Sequence, residues 1–100
     1  MGHACVRLSD GTEMCWGENV QGELGDGTVQ NETVATSVLD DRGSPLTNVL
    51  SNGVSKSGTA LHNCAILGDG SLRCWGWNDN GQVGNGASKT NVTTATPVRW

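Results

Sequence analysis

Phenylalanine and tyrosine are missing from the 100 residues, and lysine and arginine together number only six. Four tryptophans therefore supply all the aromatic bulk. The six cations are scattered along a chain of formal net charge −4. Nucleic-acid binding depends on a clustered positive footprint, so no nucleic-acid partner is expected. No apolar run approaches the length of a membrane-spanning helix, and no membrane span is expected. No leader is legible either, because Met1-Gly2 runs directly into the first expected strand. The expectation is that the chain lacks its native N-terminus or that the protein is not secreted by that route. Only two histidines are present. No Ser/His/Asp set can be assembled, and no catalytic residues and no cofactor are expected.

What the chain has in excess is glycine, 15 of 100 residues, about twice the average usage. Glycine is costly inside a helix, and no segment reads as one. The residues are also repetitive. His3–Thr28 (HACVRLSDGTEMCWGENVQGELGDGT) returns at His62–Ala87 (HNCAILGDGSLRCWGWNDNGQVGNGA), offset by 59 residues, with 12 of 26 positions identical. A glycine-rich repeat of this length marks an architecture built from stacked units. The chain reads as one repeat region, 1–100, with one unit over 3–61 and a partial unit over 62–100.

Each copy opens with an expected β-hairpin. Ala4, Val6 and Leu8 alternate with Cys5 and Arg7, and Met14 and Trp16 alternate with Glu13 and Cys15. The loop Ser9-Asp10-Gly11 fits a type I turn followed by a left-handed glycine. That turn sets the register, so Leu8 faces Thr12 and Cys5 faces Cys15 in a non-hydrogen-bonded pair. In the second copy Gly68-Asp69-Gly70 sets Cys64 against Cys74. Four cysteines allow three connectivities, and Cys5–Cys15 with Cys64–Cys74 is the one that follows the repeat. Stable bridges imply an oxidising compartment, extracellular or at the cell surface. Further strands are expected at Thr33–Val38 and Thr93–Val98, with Pro97 at a sheet edge, and at Leu46–Val54. The stretch Leu39–Pro45 reads as a loop.

The series His-x-Cys, Asp-Gly, Cys-Trp-Gly-x-Asn-x-x-Gly-x-x-Gly resembles the regulator of chromosome condensation repeat. The residues that carry it are His3, Asp10, Gly11, Trp16, Gly17, Asn19, Gly22 and Gly25. They recur as His62, Asp69, Gly70, Trp75, Gly76, Asn78, Gly81 and Gly84. The cysteine-paired form is similar to copies in bacterial extracellular proteins. The resemblance implies an all-β fold of β-propeller blades, about two four-stranded antiparallel blades in an incomplete ring. It places Leu46–Val54 innermost, the hairpins in the middle and the Thr/Val segments outermost. The first hairpin has no inner strand before it. The chain is thus expected to be a piece of a longer propeller, or a protomer that assembles with copies of itself. Further blades or copies are expected partners.

Other chemistry is weaker. His3, Cys5 and Cys15, and likewise His62, Cys64 and Cys74, can share a hairpin face, but the spacing is not that of close cysteine pairs at zinc sites. No metal is expected, and the histidines are assigned to hydrogen bonds with turn carbonyls. Asn78-Asp79-Asn80-Gly81 lacks the length and terminal glutamate of a calcium loop and reads as a tight turn. Gly25-Asp26-Gly27 and Gly84-Asn85-Gly86 lack the Lys-Ser/Thr of a phosphate loop. Asn31-Glu32-Thr33 and Asn91-Val92-Thr93 are glycosylation acceptors if the host glycosylates. Trp77 sits in a loop without a repeat counterpart and is a candidate partner contact. Family members bind proteins through loops at the ring faces, which here are Glu18–Glu32 and Trp77–Asn91. The reading is a non-catalytic, protein-binding module, with self-assembly as the alternative and a metal-binding or enzymatic domain behind it.

Overall fold

The computed structural model of the protein describes residues 2–54, 62–78, 81, 83–86 and 90–99. Seven strands account for the described secondary structure: β1 (His3–Arg7), β2 (Glu13–Gly17), β3 (Glu32–Ser37), β4 (Val49–Val54), β5 (His62–Leu67), β6 (Leu72–Gly76) and β7 (Val92–Pro97). They form a three-stranded sheet in the order β1-β2-β3 and a four-stranded sheet in the order β4-β5-β6-β7. Neighbouring strands within each sheet pair antiparallel. The two sheets do not close a ring.

The hairpins follow from their loops. Leu8 N–H donates to Thr12 O at 2.9 Å and Gly11 N–H to Leu8 O at 3.0 Å, closing the turn. Gly11 takes a φ of 87°, the left-handed value the loop demands. Asp10 Oδ1 accepts from both the backbone and the hydroxyl of Thr12, at 3.0 and 2.7 Å. Asp69 and Ser71 reproduce this at 2.9 and 2.6 Å. The register sets Cys5 against Cys15 and Cys64 against Cys74. Both pairs are bridged, each with a Cα–Cα separation of 4.1 Å.

Three strands differ in their bounds from those expected. The Thr/Val strands begin and end one residue earlier, at Glu32–Ser37 and Val92–Pro97. A register shift between Cys15 and Gly17, matched between Cys74 and Gly76, moves their pairing. The inner strand starts at Val49 rather than Leu46. Asn48 interrupts it with a φ of 63°, a conformation in which asparagine is among the few tolerated residues. Leu46 is nonetheless buried, and its N–H donates to Val38 O at 2.8 Å. The expected loop at 39–45 is closed by a bridge between Leu39 and Pro45. Asp40 Oδ1 accepts there from the N–H groups of Arg42 and Ser44.

Strand alternation decides which faces meet. On the first sheet, Cys5, Glu13 and Cys15 share one face, and Glu13 and Cys15 are buried. On the second, Asn63, Ala65, Leu67 and Trp75 share one face and are all buried. Cys15, Ala65, Leu67 and Trp75 join Leu24, Val38, Leu46, Val49 and Ala95 in one apolar cluster. The core is therefore the cysteine face of one blade packed on the tryptophan face of the next.

Candidate functional site: a blade junction and its open counterparts

The junction is built by the turn after β2. Asn19 organises it. Its Oδ1 accepts Leu24 N–H at 2.9 Å, and its Nδ2 reaches Thr28 O and Gln30 O at 3.0 and 2.9 Å. Gly22 N–H donates to Asn19 O, and Gly25 N–H to Gly22 O. The second copy repeats the design: Val83 N–H donates to Asn78 Oδ1 at 3.0 Å, and Gly81 and Gly84 close the same two turns. Asn31 Oδ1 accepts from Asn19 N–H and Asn91 Oδ1 from Asn78 N–H. The repeated asparagines are thus turn organisers.

Two motif glycines are fixed by close approach. A Cβ on Gly17 would lie 2.6 Å from Gly2 O and 2.8 Å from His3 Cα, at a φ of 112°. A Cβ on Gly25 would lie 2.9 Å from the indole of Trp75. The second contact crosses the junction, so one copy's last motif glycine makes room for the other copy's tryptophan. Distances this short are not tolerated between a real Cβ and a packed ring.

Hydrogen bonds complete the junction. Trp75 Nε1–H donates to Glu23 O at 2.9 Å, and Asn63 Nδ2–H donates to the same carbonyl. His3 Nε2 pairs with Asn63 Oδ1 at 2.9 Å. Because that oxygen only accepts, Nε2 carries the proton. His3 therefore reaches the turn carbonyl through Asn63, rather than directly as the sequence suggested. Asn91 Nδ2–H donates to Gln21 Oε1 at 2.7 Å, and Gly27 N–H to Thr93 O at 2.8 Å. Arg7 Nε–H donates to Val49 O at 2.6 Å, and Asn52 Nδ2–H to Glu13 Oε2 at 2.6 Å.

Two carboxyls are buried at this junction. Glu13 is 1% exposed and Glu23 is fully enclosed. Each has one oxygen hydrogen-bonded and the other, Glu13 Oε1 or Glu23 Oε2, without a partner. Burial pushes both above the usual glutamate range. The Asn52 amide and the Arg7 charge pull Glu13 part of the way back, and the N–H groups of Glu23 and Gln21 do the same for Glu23.

The same faces recur at the outer sides, where no blade covers them. Trp16, the counterpart of Trp75, is 37% exposed where Trp75 is wholly buried. Val6 shares its face at 39%, and Ile66, on the cysteine face of the second sheet, is 41% exposed. Trp77 is half-buried beside Asn78. Residues 79, 80, 82 and 87–89 of the second loop, and Trp100, lie outside the described residues.

Asn63, Glu13 and Glu23 did not emerge from the repeat, because their counterparts are Ala4, Leu72 and Gln82. Strand parity carried a signal for two of them. Glu13 shares a face with Cys5 and Cys15, and Asn63 lies on the Trp75 face.

Residues 57–82 match the Regulator of chromosome condensation (RCC1) repeat. The chain is similar to Protein pim1 of Schizosaccharomyces pombe, 29% identical over 104 residues spanning 97% of this chain and 19% of that protein. Its fold is similar to that in the crystal structure of human WBSCR16, with a TM-score of 0.72 at 20% identity, covering 98% of this chain and 24% of that one. It is also similar to a chain in the crystal structure of Kap60 bound to yeast RCC1 (Prp20), with a TM-score of 0.70 at 18% identity, covering 99% and 21%. The chain thus spans about a fifth to a quarter of the length of these relatives. The two sheets are blades of an open β-propeller. Over residues 57–82 the chain is thus similar to carriers of the regulator of chromosome condensation repeat, and both of its own copies hold a bridged cysteine pair.

Proposed function

We propose that the chain is a non-catalytic structural and protein-binding module, two blades of a larger propeller that works outside the cell or at its surface. The observation that carries this reading is the contrast between the two repeat tryptophans. Trp75 is wholly buried under the Glu23 carbonyl of the preceding blade, whereas Trp16, in the same motif, is 37% exposed. A face built to receive a blade stands open on each side. Patches of this kind drive association.

Protein binding is supported by the solved relative that is bound to another protein. It is also supported by the exposed Val20 and Val29 of the turn after β2, which stand on a stapled scaffold. Trp77 is our candidate anchor. Catalysis is disfavoured because His3 and the four cysteines are committed to structural contacts. The bridges favour an oxidising compartment. The units 3–61 and 62–100 act in this reading as successive segments of one repeat array.

Light scattering on a sizing column, without reductant, tests this. Polydisperse or concentration-dependent mass is expected, because an open blade face associates without a fixed partner. A sharp closed oligomer would instead establish the second reading, in which identical chains build the ring. A monodisperse monomer at high concentration would mean that the open faces drive nothing, and would sink both.

A further inference from the structure

The first hairpin differs from the second at one buried position. Glu13 stands where the second copy has Leu72. It lies on the cysteine face, 1% exposed, and its Oε1 has no hydrogen-bond partner. One carboxylate oxygen and the two sulfurs of Cys5 and Cys15 lie within 4.8 Å of one another. Arg7, the cross-strand neighbour of Glu13, adds a positive charge to this corner. The second hairpin has Ile66 and Leu72 as the matching cross-strand pair. A buried carboxylate with an idle oxygen is costly unless something compensates it. A protein that only needed a stapled hairpin could use leucine, as the second copy does.

The geometry points to a latent metal site, in which Cys5, Cys15 and Glu13 bind a divalent thiophilic ion of the zinc class once the first bridge is reduced. This inference stands apart from the protein-binding reading. Two thiolates and one carboxylate are a competent three-ligand set for zinc, with metal–sulfur distances of about 2.3 Å and metal–oxygen distances of about 2.0–2.2 Å. Water completes a tetrahedron. Once the S–S bond is cut the two sulfurs move apart to admit the ion and the carboxylate oxygen moves in, while the strand register holds the Cys5 and Cys15 backbones opposite one another. The charge balances as well. Two thiolates and a carboxylate against a divalent ion leave one negative charge, which the Arg7 guanidinium offsets. The His3 set considered from the sequence is not the one the fold assembles, because His3 is held by Asn63.

The redox step has a defined balance. A water-soluble phosphine delivers two electrons to the S–S bond and becomes the phosphine oxide, taking its oxygen from water. The two protons of that water go to the two sulfurs. Zinc then displaces both thiol protons to solvent and takes Glu13 as its carboxylate. Metal capture would replace the covalent staple of the first hairpin with a coordinate one, and the second hairpin has no such alternative.

The test is alkylation of the full chain, reduced by phosphine under anaerobic conditions, with and without one equivalent of zinc. Peptide mass spectrometry reads each cysteine separately. Zinc should slow the alkylation of Cys5 and Cys15 at least tenfold relative to Cys64 and Cys74. Cobalt in place of zinc should give a thiolate charge-transfer band saturating at one ion per chain. Glu13→Leu, which copies the second hairpin, should bring the two pairs to equal rates. Equal protection of both pairs in the parent chain, including the case in which reduction unfolds it, would overturn the proposal. So would a Glu13→Leu chain that keeps the difference.

Discussion

Glu13 and Glu23 set the acid–base behaviour of the chain. Burial raises the folded-state pKa of both carboxyls above the unfolded value. Their contribution is therefore fully present below the usual glutamate range and is lost as pH rises through the raised folded values. Asp10, Asp69 and Asp40 run the other way. Hydrogen bonds from Thr12, Ser71 and Ser44 lower them. Their contribution is present above the usual aspartate range and is lost as pH falls through the lowered values. The opposed slopes predict a stability maximum in mild acid, with thermal stability falling toward neutrality. Glu13→Gln keeps an acceptor for Asn52 and removes the charge. It should raise the melting temperature at neutral pH and flatten that side of the profile. Melting curves from mild acid to neutral check this, and a parent chain that gains stability toward neutrality would contradict it. None of this was legible from the repeat, which draws the eye to shared residues. A glutamate facing Leu72 across an alignment looks like surface variation until the strand face it occupies is buried.

Among the elements, the hairpins were readable from sequence because short-range chemistry sets them. Asp-Gly at a three-residue loop fixes the turn, the turn fixes the register, and the register brings the cysteines together. Each bridge spans a sequence separation of 10 and should contribute about 2–3 kcal/mol by restricting the unfolded chain. Cys64→Ala with Cys74→Ala should cost about that much in denaturant unfolding under oxidising conditions. The difference from the parent should shrink in reductant, where the parent loses the same restraint. A double variant as stable as the oxidised parent would show that the bridge strains the hairpin as much as it stabilises it. The inner strand was harder to place. Its apolar residues continue back to Leu46, but Asn48 adopts a left-handed conformation and passes its carbonyl to Gly68 N–H at 2.8 Å. That contact lies between strands, and local pattern does not reveal it. The outer strands moved by one residue for a related reason: the bulge at Trp16, between Cys15 and Gly17, depends on how β2 and β3 pair.

For the whole molecule, the two blades are related by sequence but not by environment. The cysteine face of the first meets the tryptophan face of the second, so a further blade on either side would have to present the complementary face. Such head-to-tail contacts propagate until a ring closes. The repeat predicted this architecture, yet it treated Trp16 and Trp75 as equivalent, because identical motifs carry no record of which neighbour is present. Their energetics should differ accordingly. Trp75→Ala removes a wholly buried indole and its bond to Glu23 O, and should cost about 3–5 kcal/mol. Trp16→Ala removes a ring that is 37% exposed, and in the same 100-residue chain should cost about 1 kcal/mol or less, the usual range away from a packed core. If a preceding blade is added in a longer chain, Trp16 acquires the environment that Trp75 has now, and its truncation should approach the larger cost. Denaturant unfolding of both variants in both lengths of chain measures the difference. A Trp16 penalty that stays small in the longer chain would mean that the open face receives something other than a blade of this repeat, and the protein-binding surface would then have to be moved to that face.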